Sequence, residues 1–324
     1  MDGNQATPGS ARHDVDVDAP WRRTAAAAGL LGDAGPVPTV FETMTGLAVE
    51  HGAVNLGQGF PDADGPEAVL AAARQAIADG ANQYPPARGE RTLLEAIAAH
   101  QHHWYGLEVS PDTDVLVTVG ATEALASAIL AFVEPGDEVV VFEPTYDSYA
   151  ADIARAGGVR RTVPLRFPDF ALDEDALAAA FSERTALVLL NTPHNPTGKV
   201  FTAAECATIA EHAARHDAVV ISDEVYEHLA FAPHEHMPFA STPGMPERTL
   251  TISSGGKTFS TTGWKIGWVT GPADLVAAVA SVKQFLTFAS GTPLQHGIAA
   301  GLCLPDAFFA EQRAEMAARS ALLV

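Results

Sequence analysis

The run Thr251–Trp268, TISSGGKTFSTTGWKIGW, concentrates groups able to do chemistry: Lys257 and Lys265 set among serines, threonines and glycines. A lysine flanked by Ser253, Ser254, Gly255 and Gly256 suits neither a helix interior nor a strand interior. Glycine is entropically unfavourable in both and lets another group approach the backbone closely, while the serines supply short donors. Such a lysine can act as an amine nucleophile toward a carbonyl carbon, with the hydroxyls and Lys265 holding a nearby anion. A solvated basic loop is the competing reading of this run taken alone. Partners elsewhere in the chain must decide between the two.

Those partners have to be carried by regular elements. From Asp114 onward β-rich runs alternate with helical periods. Strands are predicted at Val115–Val119, Glu138–Phe142, Val159–Pro164, Leu187–Leu190, Val219–Ser222 and Leu250–Ser253, with helices at Thr122–Val133, Asp173–Ala180 and Ala203–His216. Strands separated by helices make an α/β fold with a mainly parallel sheet flanked by helices. Ligands of such sheets gather outside the carboxyl ends of the strands. Asn191 and Asn195 (NTPHNPTG), Asp223 and Tyr226 (SDEVY), Tyr146 (EPTY) and Lys257 all fall there. The Gly120-Ala121-Thr122 junction between strand and helix offers free amide N–H groups and a positive dipole end, a seat for phosphate.

Upstream, Val37–Glu50, Gly65–Gly80 and Arg91–Tyr105 have helical periods. Between them, VNLGQGFPD (54–62) is irregular, and Gly59 either admits a ligand against bare backbone or makes a turn. The prolines of NQYPPARG (82–89) exclude regular structure, leaving Tyr84 to pack locally or to reach a partner subunit. Helical text resumes from Ala273 and again over Pro305–Ala318, and the sequence stops at Val324 within a helical pattern.

Composition narrows the function classes. The 324 residues carry 47% hydrophobic and 18% charged side chains, enough for an ample core. Forty acidic against 19 basic residues give a net charge of −21, which argues against a nucleic-acid or anionic-membrane surface. Cys206 and Cys303 alone support neither a disulfide framework nor a thiolate metal site, so no metal is expected and a cytoplasmic setting is. No run approaches the ~20 apolar residues of a spanning helix. The first 20 residues, MDGNQATPGSARHDVDVDAP, lack a signal-peptide core and read as a mobile polar leader extending to about Pro36.

The set of residues has a chemical logic. Pyridoxal 5'-phosphate requires a lysine amine, a partner for its ring nitrogen, donors to its phenolic oxygen, a clamp on its ring and an anchor for its phosphate. Lys257, Asp223, Tyr226 with Asn195, Tyr146, and Ser254 with Lys265 and Gly120–Thr122 supply one candidate for each need, with Tyr84 a further phosphate donor. Singly, Asp223 reads as a helix cap and Asn195 as an Asx turn. Jointly and in this order, they point to the cofactor.

The chain resembles the fold-type I, class I/II aminotransferases, most closely the kynurenine/glutamine/methionine aminotransferase group and its actinobacterial relatives. The resemblance is carried by VNLGQGFPD, NQYPPARG, LVTVGATEAL, EPTYDSY, LNTPHNPTGKV, SDEVYEHL and SSGGKTFSTTGWKIGW. It implies cofactor attachment at Lys257, a pyridinium partner in Asp223, phenolic-oxygen contacts from Tyr226 and Asn195, and stacking by Tyr146. Ala121, Thr122, Ser254 and Lys265 would bind phosphate, Tyr84 would reach the neighbouring subunit's phosphate in a homodimer with shared active sites, and Gly59 and Asn195 would face the substrate. The activity implied is ping-pong transfer of an amino group from a methionine-, glutamine-, kynurenine- or aromatic-type L-amino acid to a 2-oxo acid. A cysteine-conjugate β-lyase, an N-succinyldiaminopimelate aminotransferase and a cofactor-binding homologue without catalysis are the alternatives. The implied organisation is a leader (1–35), an N-terminal small-domain segment (36–61), a large cofactor-binding domain (62–304) and the start of a connecting helix (305–324). Relatives continue into a small domain whose arginine grips the substrate α-carboxylate, and no residue of this sequence matches that arginine.

Overall fold

The computed structural model describes residues 19–33, 35–57, 59, 61 and 63–322. Four helices precede the main sheet: α1 (Pro20–Ala27), α2 (Val40–Glu50), α3 (Glu67–Ala78) and α4 (Arg91–Tyr105). The chain then alternates through β1 (Val115–Val119), α5 (Gly120–Phe132), β2 (Glu138–Glu143), α6 (Asp147–Ala156), β3 (Val159–Pro164), α7 (Glu174–Ala180), β4 (Thr185–Asn191), α8 (Ala203–Arg215) and β5 (Val219–Asp223). After β6 (Thr249–Ser254) come the single turn α9 (Gly255–Thr258), β7 (Ile266–Thr270), α10 (Ala273–Lys283), α11 (Thr292–Leu302) and α12 (Asp306–Ala321).

The seven strands are ordered β1-β7-β6-β5-β4-β2-β3. The pairs β6/β5, β5/β4, β4/β2 and β2/β3 are parallel, whereas β7 runs antiparallel to both of its neighbours. Side-chain alternation along each strand feeds two layers. Leu187, Leu189, Ile221, Leu250 and Ile252 join α5, α6 and α10 in one core, while Val188, Leu190 and Val220 join α7 and α8 in another. A third core sets β1 and β7 against α3, α4, α11 and α12 through Val117, Trp268, Ile298 and Phe309.

Three expectations are corrected. The stretch read as mobile to about Pro36 carries α1, entered through a proline and rich in alanine, which packs on α6, and a short hairpin pairing Leu31–Gly32 with Gly35–Pro36. Residues 1–18 of that leader lie outside the described residues. Second, Ile266–Thr270 forms a strand that periodicity did not single out: all five residues are buried, and the short turn Thr262–Trp264 returns the chain without a crossover helix, which makes the strand antiparallel. Third, the chain after Asp223 forms only a 3₁₀ turn, Glu227–Leu229, so Asp223, which taken singly reads as a helix cap, caps no α-helix.

Candidate active site

Strand register brings the predicted residues to one edge. Asn191 and Asp223 pair across β4 and β5, and Asp223 pairs with Ile252 of β6, two residues before Ser254. Because β7 is antiparallel, its first residue lies at the edge where the parallel strands end. Ser254 pairs with Gly267, and Ile266 pairs with Val119, so Lys265 sits between Ser254 and the amino end of α5. One cavity is lined by Gly120, Ala121, Thr122, Tyr146, Asn195, Asp223, Tyr226, Ser254, Lys257 and Lys265. Ten predicted residues from five separate stretches therefore converge.

The Asp223 carboxylate is buried, 4% exposed. Burial pushes its pKa up to about 6, against hydrogen bonds from the Tyr149 hydroxyl and the Val225 amide and the charge of Lys257, which lower it. Tyr149 Oη donates to Asp223 Oδ2 at 2.7 Å. Asn191 Nδ2 donates to the Asp223 carbonyl at 2.8 Å, and Asn191 Oδ1 accepts from the Asn195 amide at 2.6 Å, fixing the loop that carries Asn195. Tyr149 was not singled out in the sequence. Its signal was the spacing in EPTYDSY, where Tyr146 and Tyr149 stand three apart at a helix start and so share a face.

Lys257 belongs to α9, whose N-cap Ser254 accepts from the Gly256 amide at 3.2 Å. Its Nζ lies 5.7 Å from the centre of the Tyr226 ring. Burial lowers its pKa, Asp223 opposes this, and Lys265 reinforces it. The Tyr226 hydroxyl is pushed up to about 12 by burial and then by Asp223 and Tyr146, which keeps it a neutral donor. Tyr146 is raised by burial as well, and its ring stands edge-on to Tyr149 at 5.7 Å.

The anion cradle is built from backbone. Gly120 opens α5 at φ +70°, a conformation that favours glycine, and a Cβ there would come within 3.1 Å of Lys265 Nζ. Lys265, itself at φ +56°, turns its ammonium onto Thr122 Oγ1 at 3.1 Å. Free amides of the helix start and a lysine thus face the same space.

Two predicted residues stand apart from this cavity. Gly59 is exposed, with nothing within 4 Å of where a Cβ would lie. Tyr84 is 82% exposed and lines a separate groove with Asn82–Pro85 and Ala289–Pro293, its ring 5.3 Å from that of Phe288.

A lysine amine of lowered basicity, a buried carboxylate made harder to ionise, and an anion cradle at the carboxyl edge of an α/β sheet define a site for an anionic aldehyde cofactor. The model of the family "Aminotransferase class I and II" matches residues 51–324. The chain belongs to that family, whose members use pyridoxal 5'-phosphate and act on amino acids and 2-oxo acids. It is 54% identical over 284 residues to the probable N-succinyldiaminopimelate aminotransferase DapC of Mycobacterium tuberculosis, covering 87% of this chain and 71% of that protein. It is 46% identical over 261 residues to the methionine aminotransferase of Escherichia coli K12, covering 81% and 68%. The solved structure of the M. tuberculosis N-succinyldiaminopimelate aminotransferase superposes with a TM-score of 0.86 at 53% identity, over 89% of this chain and 75% of that one. The side chains fit the cofactor: a pyridinium would give the desolvated Asp223 carboxylate its missing cation, and the glycine at position 120 leaves the cradle open to a phosphate.

Proposed function

We propose that this aminotransferase holds its cofactor through Lys257, with Asp223 at the ring nitrogen, Tyr226 and Asn195 at the phenolic oxygen, and Tyr146 against the ring. Gly120, Ala121, Thr122, Ser254 and Lys265 hold the phosphate. The observation that carries this assignment is the placement of Lys257, Asp223 and Lys265 around one cavity at the sheet edge.

When bound, the cofactor supplies an electron sink for the charge that develops at the substrate α-carbon. Asp223 keeps a proton on the ring nitrogen by charge. Once the substrate amine has taken its place on the cofactor, the freed Lys257 amine, made less basic by burial, would act as base toward the α-proton and then, as its conjugate acid, return that proton two atoms away. Tyr226 stays protonated and donates throughout. Lys265 and the α5 amides neutralise the phosphate and fix the ring against the direction of proton transfer.

The amino substrate is N-succinyldiaminopimelate-like, a reading supported by the relative at 54% identity, with methionine as the next choice from the relative at 46%. The working form is a cytoplasmic homodimer in which Tyr84 reaches the partner's phosphate site. Supporting this are the exposed apolar side chains Phe285, at 89%, and Leu286, at 50%, on the same loop as Phe288, whose ring touches Tyr84. Gly59 faces the substrate in that assembly. Residues 62–304 form the cofactor-binding domain.

The test is the visible spectrum of the purified protein with pyridoxal 5'-phosphate, followed by single additions of N-succinyldiaminopimelate, methionine, glutamine, kynurenine and aromatic amino acids. Expected are a visible band that borohydride fixes onto Lys257, as peptide mass mapping would show, its loss in Lys257→Ala, and its bleaching first by N-succinyldiaminopimelate. A band that no donor bleaches would leave a cofactor-binding chain without transfer activity and overturn the substrate reading. Fixation at another lysine would overturn the site.

A further inference from the structure

A second cluster of chemistry-bearing side chains lies behind the site. His100 projects from α4, and Glu227 and His228 occupy the 3₁₀ turn that follows Tyr226. They are 3%, 5% and 3% exposed. One donor atom from each lies within 4.8 Å of the others. The two imidazoles point Nε2 at Nε2 across 2.8 Å, so at most one of those nitrogens carries a proton. We propose that His100, Glu227 and His228 form a binding site for a divalent transition-metal ion of the zinc type, separate from the cofactor cavity.

The donor set argues for that class of ion. Two imidazole nitrogens and one carboxylate are a three-ligand set that zinc uses, whereas magnesium and calcium require oxygen donors throughout. Tetrahedral coordination at about 2.0–2.1 Å would set the two nitrogens roughly 3.3 Å apart, an opening of about half an ångström from the present pair. With one Nε2 donating to the other, one imidazole lone pair is engaged as it stands, and binding the ion requires the shared proton to move to Nδ1 of its ring or to leave. Metal-binding carboxylates are commonly held by outer hydrogen bonds. Glu227 has them: Tyr105 Oη donates to Oε2 at 2.8 Å, and Ser253 Oγ donates to Oε1 at 2.6 Å. Trp104 and Phe309 wall the cluster, with the Phe309 ring 4.3 Å from that of His228. The ion would also tie α4 to the turn of Tyr226 and, through Ser253, to the strand that ends at Ser254.

The test needs no transamination. Holoenzyme is dialysed against a chelator, mixed with Zn²⁺ or with Co²⁺, passed through a desalting column and assayed for metal by mass spectrometry. Expected are one retained ion per chain, a strong Co²⁺ visible band of the four- or five-coordinate kind, and a raised melting temperature with Zn²⁺. His100→Gln should weaken retention by more than about tenfold, while the double substitution of His102→Gln and His103→Gln, which alters exposed imidazoles only, should leave it intact. The Co²⁺ band is read on the unmodified protein, so misfolding of a variant does not blunt the result. Retention undiminished in a folded His100→Gln protein, a weak octahedral Co²⁺ spectrum, or no retained ion would each overturn the proposal and leave a hydrogen-bonded histidine pair.

Discussion

Asp223 is the residue whose environment departs furthest from what its neighbours in sequence suggest. A carboxylate at a strand end is ordinarily solvated, and this one is buried beneath Tyr149. In the cofactor-free protein its pKa is pushed up to about 6, while the unfolded carboxylate titrates near ~3.9. The folded state therefore binds the extra proton, so the contribution of Asp223 to stability is full below about pH 4 and is lost as pH rises through about 6. The loss is on the order of 3 kcal/mol. Urea denaturation of cofactor-free protein between those limits should show this decline in the native sequence and a flatter profile in Asp223→Asn. The same variant should bind pyridoxal 5'-phosphate more weakly by about 3 kcal/mol, because one partner of a buried ion pair is gone. Tyr149→Phe deletes a single hydrogen bond to that carboxylate. It should weaken cofactor binding, followed by fluorescence titration, by about 1.5–3 kcal/mol. Affinity unchanged in Tyr149→Phe would mean that the Tyr149 bond does not organise Asp223.

Among the elements, β7 decides the geometry of the anion cradle. Its Gly267 sits against the start of α5, where a Cβ would meet Gly120 C at 2.5 Å and Ala121 N at 2.6 Å. Both are backbone atoms of the cradle itself, so no side chain can swing aside. Gly267→Ala should destabilise the fold by about 1–3 kcal/mol and draw Lys265 away from Thr122, lowering affinity for inorganic phosphate as well as for the cofactor. Gly263→Ala is the natural control, since nothing lies within 4 Å of its Cβ position. Equal losses in the two variants, compared by equilibrium unfolding, would contradict this account. Most elements were legible beforehand. The runs at Val115–Val119 and Val159–Pro164 form strands with the expected bounds, and the remaining strands begin or end within two residues of expectation. Helix Arg91–Tyr105 also matches. What escaped was β7, because IGWVT is a short apolar run that periodicity cannot separate from the loop text around Lys265.

At the level of the whole molecule, the loop after α10 links surface to site. Phe285 is 89% exposed, Phe288 stands edge-on to Tyr84, and Thr287 Oγ1 donates to the Glu123 carboxylate, which also accepts from the Val119 amide at 2.6 Å. Lys283 Nζ holds the loop by donating to the Phe288 carbonyl at 2.7 Å and to the Ala87 carbonyl at 3.0 Å. If this face is shared between two copies, Phe285→Glu should shift sedimentation toward monomer and lower cofactor retention together. A monomeric native protein with full retention would refute the shared site. No helix among the described residues is long and apolar enough to cross a membrane.

The sequence by itself determined the alternation of strands and helices, the family and the residue types of the site, because periodicity and short motifs are local properties. Gly120, Tyr146, Asn195, Asp223, Tyr226, Lys257 and Lys265 could be named from their motifs alone. Their meeting was a tertiary decision. Lys265 reaches the start of α5 only because β7 is antiparallel, Asp223 gains its raised pKa chiefly from burial, and His100 meets His228 across 128 positions of chain. Burial and strand direction depend on how distant segments pack, and no window of neighbouring residues encodes them.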